Sequence, residues 1–365
     1  MKIAHVTTVH PAQDIRIFHK ECVSLAAAGH QVMLLVAGSE HSVTSVKGVE
    51  IRTVAVPHSS RSGRILKAPR ALAKEVIAWQ PGVVHFHDPE FLLMVNRLKR
   101  LGFRLVYDVH EDLPRQLMSK GWIPSPFRKG LSRLVEWYEN RQAGKVDHVI
   151  TATPHIASRF MRVNPRTTDV RNYPMPEEFT HLKPVASTSP GFCYVGGISR
   201  IRGVFEMMQA AANCKVELVL AGPLDQDITT EQLQQTPGYS NTVFKGVVGR
   251  DEVAKVLEQS LAGLALLHPT PNYMEALPTK IFEYMLAGIP VIASDFPVIR
   301  NIVEKHACGL CVDPLQVEEI SHAINRLTED PEMARSMGEK GREAAIKHYN
   351  WNIEKQKLIN IYRNL

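Results

Sequence analysis

Short runs of apolar, often β-branched residues recur along the chain, each closed by turn or polar residues. In the first half these are Ile3–Val9, Gln31–Val36, Val49–Val54, Val83–His87, Arg104–Asp108 and Val146–Thr151, and they predict buried strands. Helical stretches lie between them, among them Arg16–Ala28, Ile65–Trp79 and Pro126–Ala143. Such alternation predicts a parallel sheet covered by helices on both faces. The segment Asn172–Pro190 breaks the pattern; it holds Pro174, Pro176, Pro184 and Pro190 and little periodicity, which suits a linker. Alternation restarts at Gly191–Val195 and continues through Val216–Ala221, Thr242–Lys245, Leu261–Leu267, Ile289–Ala293 and Gly309–Val312, and Pro314–Leu365 reads as almost all helical. The expected fold class is α/β, with two doubly wound, Rossmann-like domains facing across a cleft. The expected bounds are 1–175 for the first domain, 176–190 for the linker, 191–348 for the second domain and 349–365 for a last helix. A ligand would sit at the carboxyl ends of the strands.

Composition narrows the class. A length of 365 residues suits two domains, and 44% apolar with 22% charged residues excludes a disordered, collagen-like or coiled-coil chain. Five cysteines are too sparse for a disulfide scaffold. No apolar run approaches the roughly 18 residues that cross a bilayer. The opening Met1-Lys2-Ile3-Ala4-His5-Val6 enters a strand-like run without a secretory h-region. A cytoplasmic, reducing location is expected. The net charge of +6 is uneven: residues 1–183 carry 26 basic against 16 acidic side chains, the remainder 17 against 21. A basic front half suits phosphates or anionic lipid. Nucleic acid is not expected, because zinc-finger spacing, an RNP-like motif and a basic heptad region are all missing from the sequence.

Two segments carry most of the chemistry. In Pro271–Glu283, Pro278 suits the first turn of a helix that stops at Gly288. Glu275 then precedes the helix and Glu283 lies in its second turn, where a carboxylate can accept two hydroxyl hydrogen bonds. The helix start, with Lys280, suits a phosphate; acidic residues complementing the helix dipole are the alternative. In Tyr194–Gly203 a strand runs into Gly196-Gly197, and Arg200 and Arg202 follow. The glycines permit close backbone approach, and guanidinium groups bind phosphate oxygens. The loop matches neither a Walker sequence nor G-x-G-x-x-G; an ordinary turn with solvated arginines is the alternative.

Other constellations weigh less. Cys308-Gly309-Leu310-Cys311 lies in an apolar strand without two further ligands at matching spacing, so it reads as buried thiols. His85-Phe86-His87-Asp88 ends a strand and reads as a cleft loop, with a metal pair as the alternative. His10-Pro11 with Asp14 and Arg16 is a second polar group near a strand end. Asp225-Gln226-Asp227 has metal-binding spacing but falls in a post-strand loop. Two basic stretches, Arg61, Arg64, Lys67, Arg70 and Lys74, and Trp122 with Phe127, Arg128, Lys129, Leu131, Arg133, Leu134 and Trp137, read as amphipathic helices packed on the sheet or as a surface for anionic lipid.

Together these motifs resemble the nucleotide-sugar glycosyltransferases of the GT-B fold, specifically the retaining family four. The stretch Glu275–Glu283, continued by Ala287-Gly288-Ile289-Pro290-Val291-Ile292, resembles the paired-glutamate signature. Gly196–Gly203 resembles the phosphate loop, with Arg202 where Lys is usual and Gly197 where many members carry Arg; Arg200 is the candidate substitute. Asp14–Glu21, then Leu25 and Gly29-His30, resembles bacterial members that build surface polysaccharides. The resemblance implies a catalytic set of His110, Glu275 and Arg202. It implies a donor-binding set of Gly197, Arg200, Arg202, Gly246, Val248, Thr279, Lys280 and Glu283, and acceptor-side placement of His10, Asp14, Arg16, His87 and Asp88. Glu283 would hold ribose, Glu275 would lie beside the transferred sugar, Arg202 would neutralise the departing diphosphate and His110 would bond the donor sugar. A metal on the donor phosphates and other cofactors are not expected. The last helix would return to the first, acceptor-binding domain. Expected partners are a nucleoside diphosphate sugar, a saccharide or lipid-linked saccharide and an anionic membrane surface. The alternatives are a nucleotide-sugar epimerase or hydrolase, and a non-catalytic nucleotide-binding subunit.

Overall fold

A computed structural model describes residues 1–56, 61–119, 123–183, 191–271 and 273–365, with the side chains of 61–64 and 119 left out. The chain divides into two compact units, Met1–Asn172 with Ile353–Leu365, and Tyr173–Asn352.

The first unit is built on eight strands: β1 (Lys2–Thr7), β2 (Gln31–Gly38), β3 (Ser42–Val46), β4 (Val49–Ala55), β5 (Val83–Phe86), β6 (Arg104–Val109), β7 (His148–Thr151) and β8 (Thr167–Asp169). Their order is β3-β4-β2-β1-β5-β6-β7-β8, parallel throughout except for the β3/β4 pair. The central strands are buried on both faces, because helices cover both, and they enclose polar His5, His85 and Asp108 among apolar residues. The sequence pattern does not reveal β3, which is exposed and polar, or β8, which is three residues long. The helix expected over 16–28 is a wide π-type turn over Ile15–Cys22 followed by an α-helix over Val23–Ala27. The reason lies at Asp14. Its backbone carbonyl accepts from both Phe18 N and His19 N, and its Oδ1 caps Arg16 N and Ile17 N.

The second unit holds β9 (Gly191–Val195), β10 (Glu217–Ala221), β11 (Thr242–Gly246), β12 (Ala262–Ala265), β13 (Val291–Ser294) and β14 (Gly309–Val312), all parallel, in the order β11-β10-β9-β12-β13-β14. The expected linker is only partly extended chain. Pro176–Glu178 form a 3₁₀ turn, and Phe179 and Leu182 are buried in this unit's core, since two large apolar side chains favour burial over exposure. Residues 184–190 lie outside the described residues. Within this unit Trp351 N bonds Pro174 O. The final helix, Trp351–Arg363, begins here and ends in the first unit, where Tyr362 is buried.

In each sheet the winding reverses once, between β1 and β5 and between β9 and β12. Loops leaving the carboxyl ends of those strands diverge to opposite faces and leave a crevice. Thr8–His10 and His87-Asp88 follow β1 and β5 there, and the glycine loop Gly196–Gly203 follows β9.

Candidate active site

In the second unit the loop after β9 turns at Gly196 (φ +129°) and Gly203 (φ +74°), and Val204–Cys214 follows as a helix. Gly222, after β10, approaches so closely that a Cβ would meet Gly196 O at 2.1 Å. Its place is structural, and it fixes the loop from one side. Arg202 folds back over the loop. Its Nη1 donates to Gly197 O at 3.1 Å and its Nε to the Tyr273 hydroxyl at 3.3 Å. Gly197 makes this fold-back feasible, because a Cβ there would meet Nη1 at 2.6 Å. Burial pushes the Tyr194 phenol up to about 12, so it stays protonated and donates to the same Gly197 carbonyl at 2.7 Å.

The helix Thr279–Ala287 starts after Pro278 and stops at Gly288, whose φ of +78° is the left-handed end that glycine tolerates. Its first turn delivers Lys280 to the loop, with Nζ 3.5 Å from the centre of the Tyr194 ring. Burial, then the Arg202 charge, lowers the Lys280 pKa well below the ordinary lysine value. Two basic side chains thus converge on a glycine turn, with the Glu283 carboxylate acting on Lys280 against these effects, an arrangement that a bound anion would further relieve. Thr279 opens the same helix.

Glu283, one turn further on, is buried and accepts from Arg250 Nη2 at 2.8 Å, and the same guanidinium grips Glu178 through 2.6 and 3.2 Å contacts. These two carboxylates outweigh burial and raise the Arg250 pKa. Neither Arg250 nor Glu178 stood out in the sequence. An arginine opening the helix Arg250–Glu258, where the dipole disfavours a cation, was the available signal. Gly246 (φ +65°) is exposed, and Val248 packs half-buried on the core. Glu275 is exposed in the turn before the helix. Arg200 is not gathered into the loop; it is exposed and lies on the Phe205 ring at 4.5 Å. Cys308 is fully buried and Cys311 half-buried. Asp225 and Asp227 are exposed.

The first unit differs. Arg16, expected to face an acceptor, is 4% exposed. It clamps both oxygens of Asp108 at 2.8 and 3.0 Å and donates to Val170 O at 2.9 Å, so its capacity is committed internally. Asp108 remains charged: burial opposes ionisation, but Arg16 and His110 hold its pKa well below the usual carboxylate range. Asp88 and His87 are buried as well. Asp88 Oδ2 accepts from Thr7 Oγ1 (2.8 Å) and Thr8 N (2.6 Å), and His87 Nδ1 faces Asp108 Oδ2 at 3.1 Å. Asp14 caps its own helix. Asp14 keeps part of its side chain in solvent, as do His10, between Asp14 (3.7 Å) and Asp88 (3.4 Å), and His110, on Asp108 Oδ2 at 2.9 Å. The two imidazole rings are 5.1 Å apart.

Two parallel-sheet α/β units, with a cationic glycine loop at the strand-order reversal of the second, define an α/β protein of the GT-B class. Comparison gives the family. Residues 178–344 match the model "Glycosyl transferases group 1" and residues 16–171 match "Glycosyltransferase Family 4". The chain belongs to the group 1 glycosyltransferases. It is 25% identical over 288 residues, 73% of this chain and 66% of the relative, to an MMP alpha-(1->4)-mannosyltransferase of Mycolicibacterium hassiacum. To the O-antigen chain mannosyltransferase C of Escherichia coli it is 21% identical, over 78% of this chain and 75% of that one. Three curated relatives are spanned over only 46–66% of their length. The fold is shared with sucrose-phosphate synthase from Thermosynechococcus elongatus (TM-score 0.81, 19% identity, 100% of this chain and 98% of that one). It is also shared with Anabaena HepE in complex with UDP-glucose (TM-score 0.75, 14% identity, 100% of both chains).

Proposed function

We propose that this protein is a retaining glycosyltransferase that moves a hexose-type unit from a nucleoside diphosphate sugar to a saccharide acceptor in bacterial surface glycan synthesis. The observation that carries the reading is the pair Arg202 and Lys280, set on a glycine turn beside a helix whose second turn presents Glu283. Cleavage of a sugar–phosphate bond leaves an oxocarbenium-like sugar and a diphosphate with added negative charge. Fixed cations placed where that charge develops lower the barrier, and here they do so without a metal on the phosphates. Glu283 takes the ribose hydroxyls, Glu275 stands beside the transferred sugar and His110 serves as a hydrogen-bonding catalytic residue. A front-face route, in which the leaving phosphate oxygen takes the acceptor proton, fits the lack of a well-placed nucleophile in the sequence. The names of the mannosyltransferase relatives and the UDP-glucose complex of HepE support the donor class.

Thermal shift against UDP, GDP, ADP and their sugars tests the donor site, since a binder of the native state raises Tm with occupancy. NMR of the product anomer tests retention. No shift with any nucleotide, or donor consumption that never requires an acceptor, refutes the reading.

The acceptor proposed is lipid-linked, with the first unit resting on anionic membrane. Among the described residues no helix is long and apolar enough to cross a membrane. The helix Ser125–Ala143 does expose Phe127, Leu134 and Trp137 beside Lys129 and Arg133. In the other basic stretch Arg61 and Arg64 lie outside the described side chains, as does Trp122. Liposome flotation with Arg128, Lys129 and Arg133 changed to Glu tests this surface; binding that survives the change removes it.

A further inference from the structure

The proposed reaction leaves one buried cluster in the first unit without a role. His5 on β1 and His85 on β5 are register partners across adjacent strands, and His87 follows two residues later on the same side of the sheet. The rings of His5 and His85 are 4.3 Å apart, those of His85 and His87 4.6 Å, and those of His5 and His87 5.2 Å. Glu21 joins them from the turn Ile15–Cys22. All four side chains are buried, and one nitrogen or oxygen from each lies within 4.8 Å of those of the other three.

Hydrogen bonding satisfies this group only in part. His87 Nδ1 faces the Asp108 carboxylate, which can only accept, so that nitrogen carries the proton and the His87 Nε2 lone pair accepts from His5 Nδ1 at 3.0 Å. His5 Nε2, His85 Nε2 and both Glu21 oxygens have no hydrogen-bond partner among the described residues. Arg16 Nε comes within 3.1 Å of Glu21 Oε1, but its N–H is aimed at Asp108 Oδ2 at 3.0 Å. Glu21 Oε2 lies 3.8 Å from His85 Nε2, too far for a hydrogen bond. Two ligands of one tetrahedral ion, each about 2.0–2.1 Å from it, stand about 3.4 Å apart, so the gap suits a shared ion.

We propose that His5, His85, His87 and Glu21 form a buried site for a divalent first-row transition ion of the zinc type. Three imidazoles and one carboxylate are the donor set that such ions accept. The outer contacts have the form seen around metal ligands: Asp108 Oδ2 stands behind His87 Nδ1 at 3.1 Å, and the Tyr362 hydroxyl behind His85 Nδ1 at 2.7 Å. Four protein ligands leave no open position, so the ion is structural. It ties β1, β5 and the Ile15–Cys22 turn together, and through Tyr362 the final helix. The inference is independent of the sugar-transfer reading.

The test uses the tag-free full chain, exposed to zinc sulfate and then freed of excess by gel filtration. Mass spectrometry should find about one zinc per chain. His85→Gln and the near-isosteric Glu21→Gln should each lower that content at least about tenfold at limiting zinc. His41→Gln, which changes an exposed imidazole, should keep it. Wild-type loading below about 0.1 ion per chain, or loading indifferent to both ligand variants, overturns the site. Should those variants not fold, cobalt(II) added to wild type decides: intense tetrahedral visible bands support the site, and the weak spectrum of octahedral surface cobalt refutes it.

Discussion

Arg16 in the first unit is 4% exposed and spends its hydrogen bonds on Asp108 and Val170. Arg202 in the second is half-buried and rests on one backbone carbonyl and one phenol. Both are arginines in loops or turns beside the strand-order reversal of a parallel sheet, yet one already has its anion and the other has none among the described residues. The same contrast runs through their neighbours. Asp108, Asp88 and His87 are enclosed and paired, whereas Lys280 sits between an aromatic ring and another cation. Position in the fold does not separate these two arginines; whether the charge is already matched does.

The largest expected effect breaks the first half of that contrast. Arg16→Ala leaves Asp108 buried without its guanidinium and should cost about 3–5 kcal/mol of stability, measured by urea unfolding. A loss under about 1 kcal/mol would mean that water or a rearranged neighbour replaces the clamp. Arg202→Ala should behave in the opposite way. With an intact melting temperature, kcat/KM should fall roughly 10²–10³-fold, because only the departing diphosphate loses a partner. Equal damage to folding and catalysis would erase the distinction between the units.

Glu283 tests an intermediate case, a carboxylate that serves both fold and proposed ligand. Arg250→Ala frees it from its 2.8 Å contact. The donor KM should rise about tenfold with kcat changed less, since a ribose acceptor that loses its orientation weakens binding by about one charged hydrogen bond. A change in kcat alone would place Arg250 outside donor binding.

The smallest effect concerns His10, at the solvent edge of the enclosed cluster. Burial works against its protonation, but Asp14 and Asp88 outweigh it and raise the pKa above 6.5. The charged form is therefore favoured in the folded state. Its stabilisation is complete below pH 6.5 and is lost as pH rises through the folded value. At this half-exposed site it should amount to less than about 1 kcal/mol. A plot of melting temperature against pH should flatten in His10→Gln; an unchanged plot would assign the slope to another group.

Much of this protein is legible in its residues alone. Apolar β-branched runs closed by turns mark the central strands because a parallel strand buried on both faces has little freedom in composition. Pro278 and Gly288 bracket their helix because each restricts or permits particular backbone angles. The pairing of charges is another matter. Nothing near Arg16 in the chain indicates Asp108, 92 residues away, and nothing near Glu283 indicates Arg250 or Glu178. Spacing likewise leaves His85 and His87 open between a cleft loop and a metal pair. Only the register of β1 against β5, with Glu21 arriving from a separate turn, gathers four ligand groups in one enclosed place. Local sequence sets backbone preference and burial over a few residues, whereas an ionisable side chain's role depends on which distant group neutralises it, and the chain path alone decides that.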